Sequence, residues 1–377
     1  MLRAVGVVAE YNPFHNGHAY QLAEARRRAA ADVTVVAMSG NFVQRGEPAL
    51  FDKWNRAQAA LQGGADLVVE LPLTVSTQPA DRFARGGVQA LAQLQCGAVA
   101  FGTEQPELDY AALGRQINAL PPHPAGAVDY AQTYATQMNQ FYQETLHVGL
   151  DDPNVILALG YAAANAALAQ PMALVPVPRV GVAHDAAATS QQLASASWLR
   201  QHPDQLAAYV PAAAAVLYAD AAATRWADFW PLLHYRLLTD TPAALRRLYQ
   251  MTEGLEYRFI EQNWAAASVA DLLKRVKTKR YTYSRLSRVA LYTLLHLTNE
   301  DMTVAQPLRI LGFTPQGQAY LKQIRKAAGA ALLTRVNAAA GALTAPYGLT
   351  VRADRVYTLN NGHEQNFGRA PMRITKG

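Results

Sequence analysis

Two histidines near the start of the chain, His15 and His18, are spaced so that both imidazole rings can face one anionic ligand. The residues between them, Asn16 and Gly17, are small, and glycine permits a close approach to the backbone. Imidazole groups and the free N–H groups of a helix's first turn can both bind phosphate oxygens. Histidines at this spacing are more often structural, so the pair predicts a phosphate site only in a suitable context.

That context is a strand running directly into a helix. Ala4 to Ala9 is an apolar run of strand length, and Glu10 to Pro13 breaks it with turn formers. A helix is predicted from about His18 to Ala31. This order favours anion binding, because the positive end of the helix dipole faces the ligand. We therefore interpret the histidine pair as a phosphate-binding site.

Strands and helices continue to alternate beyond this unit. The alternation predicts an α/β fold with a doubly wound parallel sheet, in which ligands bind at the carboxyl ends of strands. His15, Ser39, Glu70 and Gly102 fall at such ends. The further predicted strands are 33–38, 67–71, 98–101 and 173–177, and the helices between them are 54–61 and 82–94.

Two longer strings are more specific than the histidine spacing. Residues 10–18 read Glu-Tyr-Asn-Pro-Phe-His-Asn-Gly-His, and residues 38–49 read Met-Ser-Gly-Asn-Phe-Val-Gln-Arg-Gly-Glu-Pro-Ala. Together they resemble the bacterial tRNA(Met) cytidine acetate ligase family, which belongs to the nucleotidyltransferase superfamily with its His-x-Gly-His motif. The resemblance runs over most of the chain. It implies a ligase that activates acetate with ATP as acetyl-adenylate and acetylates N4 of the wobble cytidine of elongator tRNA(Met), forming N4-acetylcytidine.

Further positions match the family's ATP site. Asn154 corresponds to the first Asn of the family's Pro-Asn-Asn-Ile-Leu motif, whereas Val155 replaces the second. Arg179 follows the predicted strand 173–177 and corresponds to an ATP-binding Arg. Ser197 stands where the superfamily's Ser-x-Thr-x-x-Arg element has its Thr. The resemblance implies His15 and His18 as catalytic residues and, as ATP-binding residues, Val8, Ala9, Glu10, Tyr11, Asn12, Pro13, Phe14, His15, Asn16, Gly17, His18, Gly102, Asn154, Arg179 and Ser197.

The loop 40–49 concentrates polar side chains where this fold places a substrate. On its own, an Arg-Glu pair on a loop such as Arg45 and Glu47 has little energetic consequence. The resemblance instead favours a substrate loop with Gln44 and Arg45, to which the nearby Lys53 is added. Their individual roles are not assigned.

The second half of the chain has a different pattern. Alternation stops near residue 204, and alanine-rich and leucine-rich helical segments follow to about residue 345. This predicts a nucleotide-binding domain at 1–203 and a mainly helical tRNA-binding domain at 204–377. Within the first domain, residues 121–124 predict a loop. Near the end of the chain, the alternating segments 349–352 and 355–359 predict a small hairpin.

The most basic stretch, residues 274–288, lies in the second domain and contains Tyr281 and Tyr283. Lysine and arginine neutralise phosphates and tyrosines stack on unpaired bases, a combination that favours single-stranded RNA loops. A solvated helix face is the usual alternative for such a run. The resemblance favours RNA contact, and the residues predicted to bind tRNA are Lys277, Lys279, Arg280 and Arg285.

Composition limits the remaining possibilities. The 377 residues carry a formal net charge of +6, which suits a polyanionic partner. Cys96 is the only cysteine, so an intramolecular disulfide or a multi-cysteine zinc site is excluded, and its apolar neighbours indicate packing. We predict no metal ligands in the protein and expect Mg²⁺ to assist the reaction with ATP. No apolar run reaches the roughly 18 residues of a membrane span, and the N-terminus lacks a secretory signal, so we expect a cytoplasmic protein without a membrane partner.

Two other classes of function remain open at this point. A small-molecule adenylyltransferase of coenzyme biosynthesis would use the same histidine motif, but it needs no helical half with a basic stretch. A non-catalytic RNA-binding protein would need neither the histidine pair nor Asn154 and Arg179. The sequence does not indicate an oligomeric state.

Overall fold

One sheet of eight strands organises the molecule and draws on both halves of the chain. The structure, a computed structural model, describes residues 1–120, 134–149, 152–179, 193–328 and 332–375. The strands, in chain order, are β1 (Ala4–Ala9), β2 (Val33–Ser39), β3 (Leu67–Leu71), β4 (Ala98–Thr103), β5 (Ala173–Pro178), β6 (Leu308–Phe313), β7 (Leu332–Leu333) and β8 (Met372–Arg373).

The first five strands are parallel to their neighbours and lie in the order β5-β4-β1-β2-β3. The strands β2 and β3 follow on one side of β1, and β4 and β5 follow on the other side. The topological switch point therefore lies between β1 and β4, where the chain leaves a crevice for a ligand at the carboxyl ends of the strands. The doubly wound parallel sheet predicted from the sequence is confirmed.

The second half of the chain completes this sheet. β6 is antiparallel to β3, with Glu70 paired to Arg309, and both β7 and β8 pair with β6. These three strands were not predicted from the sequence, because Arg309 interrupts the apolar run of β6 and the other two have only two residues each. The division of the chain at residue 203 stays a prediction.

Helices cover both faces of the sheet, and others form a separate layer in the second half. Two short 3₁₀ helices, Pro203–Ala208 and Asp301–Thr303, accompany them. The α-helices are α1 (Asn16–Arg28), α2 (Lys53–Gln62), α3 (Leu73–Ser76), α4 (Ala80–Gln93), α5 (Tyr110–Ala119), α6 (Tyr134–Leu146), α7 (Pro153–Ala166), α8 (Ala196–Gln201), α9 (Ala212–Ala219), α10 (Trp226–Thr239), α11 (Pro242–Arg246), α12 (Leu255–Asn263), α13 (Val269–Val276), α14 (Tyr283–Leu295), α15 (Pro315–Ala328) and α16 (Gly348–Tyr357).

Strand side chains point alternately into two cores, one on each face of the sheet. On the first face, Val7 of β1 packs in a core with Leu22 of α1 and Leu61 of α2. On the opposite face, Val8 of β1 shares a core with Leu91 of α4 and with residues of α7 and α15. Both faces of β1 are therefore buried, and the turn that follows it starts from a fixed position.

A third core lies among the helices of the second half. The helices α10 to α14 and α16 build it, and Phe42 and Leu73 enter it from the first half. The helix α9, by contrast, packs against the sheet through Ala214 and Tyr218. The mainly helical character predicted for the second half is confirmed.

The hairpin predicted at 349–352 and 355–359 is wrong, because this segment forms α16. Leu349, Ala353 and Tyr357 are spaced by four residues, so a helix places all three on the face that enters the third core. The alternation of apolar and polar residues in the segment had favoured a strand. Tertiary packing overrides that local preference.

Cys96 and the helix lengths bear on the predicted packing of the cysteine and on the predicted absence of a membrane span. Cys96 is buried in a sheet core, where burial raises the pKa of its thiol to about 12, so the packing interpretation is confirmed. Among the described residues, no helix has the length and apolar character needed to cross a bilayer. The loop predicted at 121–124 lies outside the described residues.

Candidate active site

Aromatic packing holds the turn after β1 in place. Tyr11 and Phe14 are both buried and contact each other edge to face, with ring centroids 4.9 Å apart. The backbone N–H of Phe14 donates to the hydroxyl of Tyr218 in α9 at 3.1 Å, and Tyr11 also packs against His18. Tyr11 has a φ of 50°, a left-handed conformation that a bulky residue adopts only when its surroundings impose it. The turn is therefore a rigid platform for the residues that follow.

Asn12 connects this turn to two other segments. Its side-chain oxygen accepts from the backbone N–H of Leu50 at 2.7 Å, and its carbonyl accepts from Arg200 of α8 at 3.0 Å. Arg200 also donates to the hydroxyl of Ser197 at 3.3 Å and lies 3.7 Å from a carboxylate oxygen of Glu47. The Ser-x-Ser-x-x-Arg element therefore lies beside the histidine turn, although 180 residues separate them in sequence.

His15 and His18 form a stacked pair at the N-terminus of α1, with ring centroids 3.7 Å apart. The backbone N–H of His15 donates to Nδ1 of His18 at 3.3 Å, so the proton of a neutral His18 ring is on Nε2. A Cβ atom on Gly17 would lie only 3.0 Å from Cε1 of His15. Glycine at this position therefore lets the two rings stack over the helix end.

Both rings are neutral at physiological pH. Burial and the nearby Arg179 guanidinium lower the pKa of His15, and burial, His15 and Arg179 lower the pKa of His18. Neutral imidazoles bind phosphate by donating hydrogen bonds, and Arg179 supplies the positive charge. The arrangement is suited to a triphosphate.

Arg179, Asn154 and Gly102 meet at the ends of β4 and β5 around a residue that sequence reasoning missed, Glu104. Nε of Arg179 lies 2.9 Å from Oε1 of Glu104, and the side-chain amide of Asn154 donates to the same oxygen at 2.7 Å. A Cβ atom on Gly102 would lie 3.6 Å from Cγ of Arg179, so the strand end passes directly beside this group. Glu104 could have been found from its position, because it follows a strand that borders the switch point.

Glu10 links the end of β1 to the loop 40–49. One oxygen of its carboxylate accepts from the backbone N–H of Gln44 at 2.8 Å. Burial raises the pKa of Glu10, although the Arg45 guanidinium and the Gln44 N–H oppose that shift. The loop predicted to bind substrate is therefore in contact with the crevice.

Comparisons with known proteins agree with this geometry. A family model described as HIGH Nucleotidyl Transferase matches residues 2–370. The tRNA(Met) cytidine acetate ligase of Latilactobacillus sakei is 48% identical over 381 residues, which cover 98% of this chain and 97% of that protein. That of Levilactobacillus brevis is 44% identical, with 99% and 98% covered. This chain belongs to the tRNA(Met) cytidine acetate ligase family.

Solved structures support the same assignment. Thermotoga maritima TmcAL, in a form without ligand, superposes with a TM-score of 0.87 at 26% identity, and 99% of this chain and all of that chain are covered. A second TmcAL structure, bound with alpha-thio ATP, superposes with a TM-score of 0.85. The resemblance to this ligase family, first stated on residues 10–18 and 38–49, is confirmed.

Lys53, which the resemblance to the ligase family grouped with the substrate loop, lies in a buried polar network between the two halves of the chain. Its amino group is 2.8 Å from Glu70 of β3 and 2.6 Å from Asp354 of α16, and its side chain has no exposed surface. Tyr347 donates to the second oxygen of Glu70 at 2.7 Å. The structure therefore gives the Lys53 side chain a contact with the second half, while its backbone N–H donates to the side-chain oxygen of Asn41 in the loop 40–49 at 2.7 Å.

Replacing Lys53 with Met should lower the free energy of unfolding by about 3 to 5 kcal/mol, because Glu70 and Asp354 would remain buried without their cation. Chemical denaturation monitored by circular dichroism measures this change. Lys322→Met, at an exposed position of α15, is the control and should change stability by less than about 0.5 kcal/mol. Equal midpoints for the two variants would contradict a structural role for Lys53.

The basic residues predicted to bind tRNA lie around the loop between α13 and α14. Lys279 and Arg280 are exposed, whereas Lys277 is partly buried and donates to the carbonyl of Thr278 at 2.6 Å. Arg285 also has intramolecular contacts, since its guanidinium lies 4.8 Å from the ring centroid of Tyr281.

The two tyrosines of this stretch differ in accessibility. Tyr281 is only 3% exposed, whereas Tyr283 is 54% exposed. Stacking on a base requires an open ring face, so only Tyr283 is available for it. The amino group of Lys277 lies 5.7 Å from the ring centroid of Tyr283, which places a cation beside that ring.

The helix α14 connects the segment 277–285, which we call the basic loop, to the substrate loop 40–49. The hydroxyl of Ser287 donates to the carbonyl of Gly46 at 2.9 Å, and Arg288 donates to the carbonyl of Gln44 at 3.4 Å. Gly46 has a φ of 74°, and a Cβ atom there would lie 2.4 Å from the backbone nitrogen of Arg288. The close approach of α14 and the loop therefore depends on glycine at this position.

Proposed function

We propose that this chain is an ATP-dependent ligase that acetylates N4 of the wobble cytidine of elongator tRNA(Met). The observation that supports it most directly is the neutral, stacked pair of His15 and His18 at a helix N-terminus, beside Arg179 and at the switch point of the sheet. These donors suit a triphosphate. The names of relatives that match over nearly their full length supply the acid and the RNA.

In the first step, an acetate oxygen attacks the α-phosphorus of ATP. The bond from that phosphorus to the bridging oxygen breaks, and pyrophosphate leaves with the electron pair. No protein group becomes covalently modified. His15, His18 and Arg179 stabilise the negative charge as it moves onto the pyrophosphate, so catalysis rests on positioning and electrostatics.

In the second step, N4 of the cytidine attacks the carbonyl carbon of the acetyl-adenylate. AMP leaves, and the amine nitrogen loses one proton. The loop 40–49 lies between the crevice and α14, since Gln44 contacts Glu10 on one side and Arg288 on the other. We place acetate and the incoming cytidine beside this loop, with Gln44 and Arg45 as the residues nearest to them.

A magnesium ion in this reaction would arrive with the nucleotide. Among the described residues there is no group of three His, Cys, Asp or Glu side chains that could hold a metal ion. Mg²⁺ commonly binds through substrate phosphates and few protein ligands. We therefore assign it to the triphosphate and the reaction to the cytoplasm, where its substrates are found.

Mass spectrometry of tRNA nucleosides tests the proposal. Elongator tRNA(Met) is incubated with the protein, ATP and ¹³C-labelled acetate, then digested to nucleosides. We expect the label in N4-acetylcytidine, no label when ATP is omitted, and labelling at least about 100-fold slower when His18 is replaced by Ala. If the complete reaction gives no labelled N4-acetylcytidine, the proposal is contradicted. Transfer of AMP to a small phosphate acceptor would indicate an adenylyltransferase instead.

Arg179→Ala should weaken ATP binding by about 10- to 100-fold, because it removes a charged donor and leaves Glu104 without its cation. Asn154→Ala removes a neutral hydrogen bond and should cost about tenfold or less. Isothermal titration calorimetry with ATP measures both. Arg115→Ala, at an exposed position of α5, is the matched control.

Filter binding of tRNA provides the second measurement for these variants. Arg179→Ala and Asn154→Ala should bind tRNA as the wild type does, because both lie at the nucleotide crevice and far in sequence from the basic loop. If ATP affinity is unchanged in both, these two residues do not belong to the nucleotide site.

A further inference from the structure

Glu104 has one carboxylate oxygen whose role the contacts among the described residues do not explain. Oε1 accepts from Asn154 and lies against Arg179, but Oε2 is buried and has no hydrogen-bond partner among the described residues. Buried carboxylate oxygens are normally hydrogen-bonded, so each exception calls for an explanation. A bound ligand that donates a hydrogen bond would satisfy Oε2.

The surroundings of Glu104 hold it in one position. Thr103, the last residue of β4, is fully buried, and its hydroxyl is 2.6 Å from that of Tyr110. The Thr103 hydroxyl also accepts from the backbone N–H of Gln105 at 3.1 Å, which fixes the residue that follows Glu104. With its other oxygen bonded by Arg179 and Asn154, the carboxylate is preorganised to accept from a ligand.

The chemistry of ATP limits which of its groups can meet Oε2. The triphosphate carries negative charge and offers no donor, so a carboxylate oxygen would repel it. The donors of ATP are the two ribose hydroxyls and the adenine amino group. Arg179 lowers the pKa of both histidines and also contacts Glu104. The carboxylate is therefore next to a residue assigned to the phosphates, and the ribose is the nearest part of ATP that carries donors.

We propose that Glu104 accepts a hydrogen bond from a ribose hydroxyl group of ATP and thereby makes the site selective for ribonucleotides. This inference rests on the proposed function, since it takes ATP as the ligand and His15 and His18 as its phosphate contacts. It assigns to Arg179 a second role, which is to neutralise the carboxylate so that it can lie close to a polyanion.

Nucleotide binding to the wild type and to Glu104→Gln tests this proposal. Isothermal titration calorimetry is used to measure the Kd for ATP, 2′-deoxy-ATP and 3′-deoxy-ATP. We expect the wild type to bind one of the deoxynucleotides about 10- to 100-fold more weakly than ATP, as a charge-assisted hydrogen bond would give. In Glu104→Gln, a neutral amide replaces the charged acceptor, and the ratio should fall to within about threefold. His18→Ala, the control, removes an assigned phosphate contact and leaves the hydrogen bonds of Glu104 to Asn154 and Arg179 in place, so it should weaken binding but keep the wild-type ratio.

Other results would overturn the proposal. If Glu104→Gln weakens all three nucleotides by the same factor, Glu104 only positions Arg179 and Asn154. If the wild type binds ATP and both deoxynucleotides equally but discriminates against ITP, which lacks the adenine amino group, the ligand of Oε2 is the base. Should Glu104→Gln fail to fold, Glu104→Asp must still change the deoxynucleotide ratio. A wild type that binds ATP without ribose discrimination leaves the proposed function intact, whereas one that does not bind ATP overturns both.

Discussion

Replacing either His15 or His18 with Ala should lower the rate of acetate-dependent pyrophosphate exchange by about 100- to 1,000-fold, which is the usual cost of losing one donor aimed at developing charge. The structure strengthens the reason for this expectation. The rings stack at 3.7 Å, and both are neutral because burial and Arg179 lower their pKa values. Each ring therefore acts as a hydrogen-bond donor, and Ala removes that donor entirely.

The two histidine variants need a control for folding and a control for specificity. His363→Ala, at an exposed position near the C-terminus, should exchange pyrophosphate at the wild-type rate. Thermal unfolding of His15→Ala and His18→Ala should stay within a few degrees of the wild type, because the rings lie at a turn and a helix end, outside the three large cores. A large loss of stability with little loss of exchange would make the pair structural.

The histidine turn could be predicted from sequence because its determinants are local. Ala4 to Ala9 is apolar without interruption, as a strand buried on both faces must be, and turn formers and a glycine follow within a few residues. The structure begins α1 at Asn16, two residues before the predicted start, since His15 rather than a later residue is the N-cap. Such shifts at helix ends do not change which side chains face the ligand.

The contacts that complete the site could not be predicted, because they join residues far apart in sequence. Glu104 meets Asn154 across 50 positions, and Lys53 meets Asp354 across 301. No local pattern marks such partners. A charged residue directly after a strand at the switch point, as Glu104 is, would have been a useful signal.

The strand β6, which adds to the sheet from the second half of the chain, was also not predicted, because its position depends on contacts that are distant in sequence. β6 is a short apolar run bounded by Pro307 and Pro315, but Arg309, its second residue, resembles a solvent-facing residue. The structure buries that arginine completely, and both of its Nη atoms donate to Asn366, Nη1 to the side-chain oxygen at 2.6 Å and Nη2 to the carbonyl at 3.0 Å. A buried ion or hydrogen-bond network can therefore hide a strand from any pattern based on hydrophobicity alone.

Replacing Lys277, Lys279, Arg280 and Arg285 together with Ala should abolish acetyl transfer to tRNA while preserving acetate-dependent pyrophosphate exchange. The basic loop lies in the second half of the chain, and the nucleotide crevice is built by the first half, so only the step that needs RNA should be lost. Four lost phosphate contacts should also flatten the slope of log affinity against log salt by roughly 3 units, at about 0.7 to 0.9 units each.

A charge-matched variant separates local contact from overall charge. Ala at Arg27, Arg28, Lys322 and Arg325 removes the same four positive charges from exposed positions of α1 and α15. It should bind tRNA with nearly the wild-type salt slope, since counterion release depends on charges that contact phosphates. If both quadruple variants lose affinity equally, net charge attracts the RNA and the basic loop has no special role.

The contacts of α14 define one further outcome of the same experiment. Ser287 and Arg288 bind the carbonyls of Gly46 and Gln44, and Gln44 in turn binds Glu10 beside the nucleotide crevice. If the basic-loop variant loses pyrophosphate exchange as well as acetyl transfer, this path transmits the disturbance to the first step, and the two halves of the chain do not act separately. Retained exchange with lost transfer instead assigns nucleotide chemistry to the crevice and RNA recognition to the basic loop. The ratio of the two rates therefore decides whether tRNA binding and acetate activation are independent events in this enzyme.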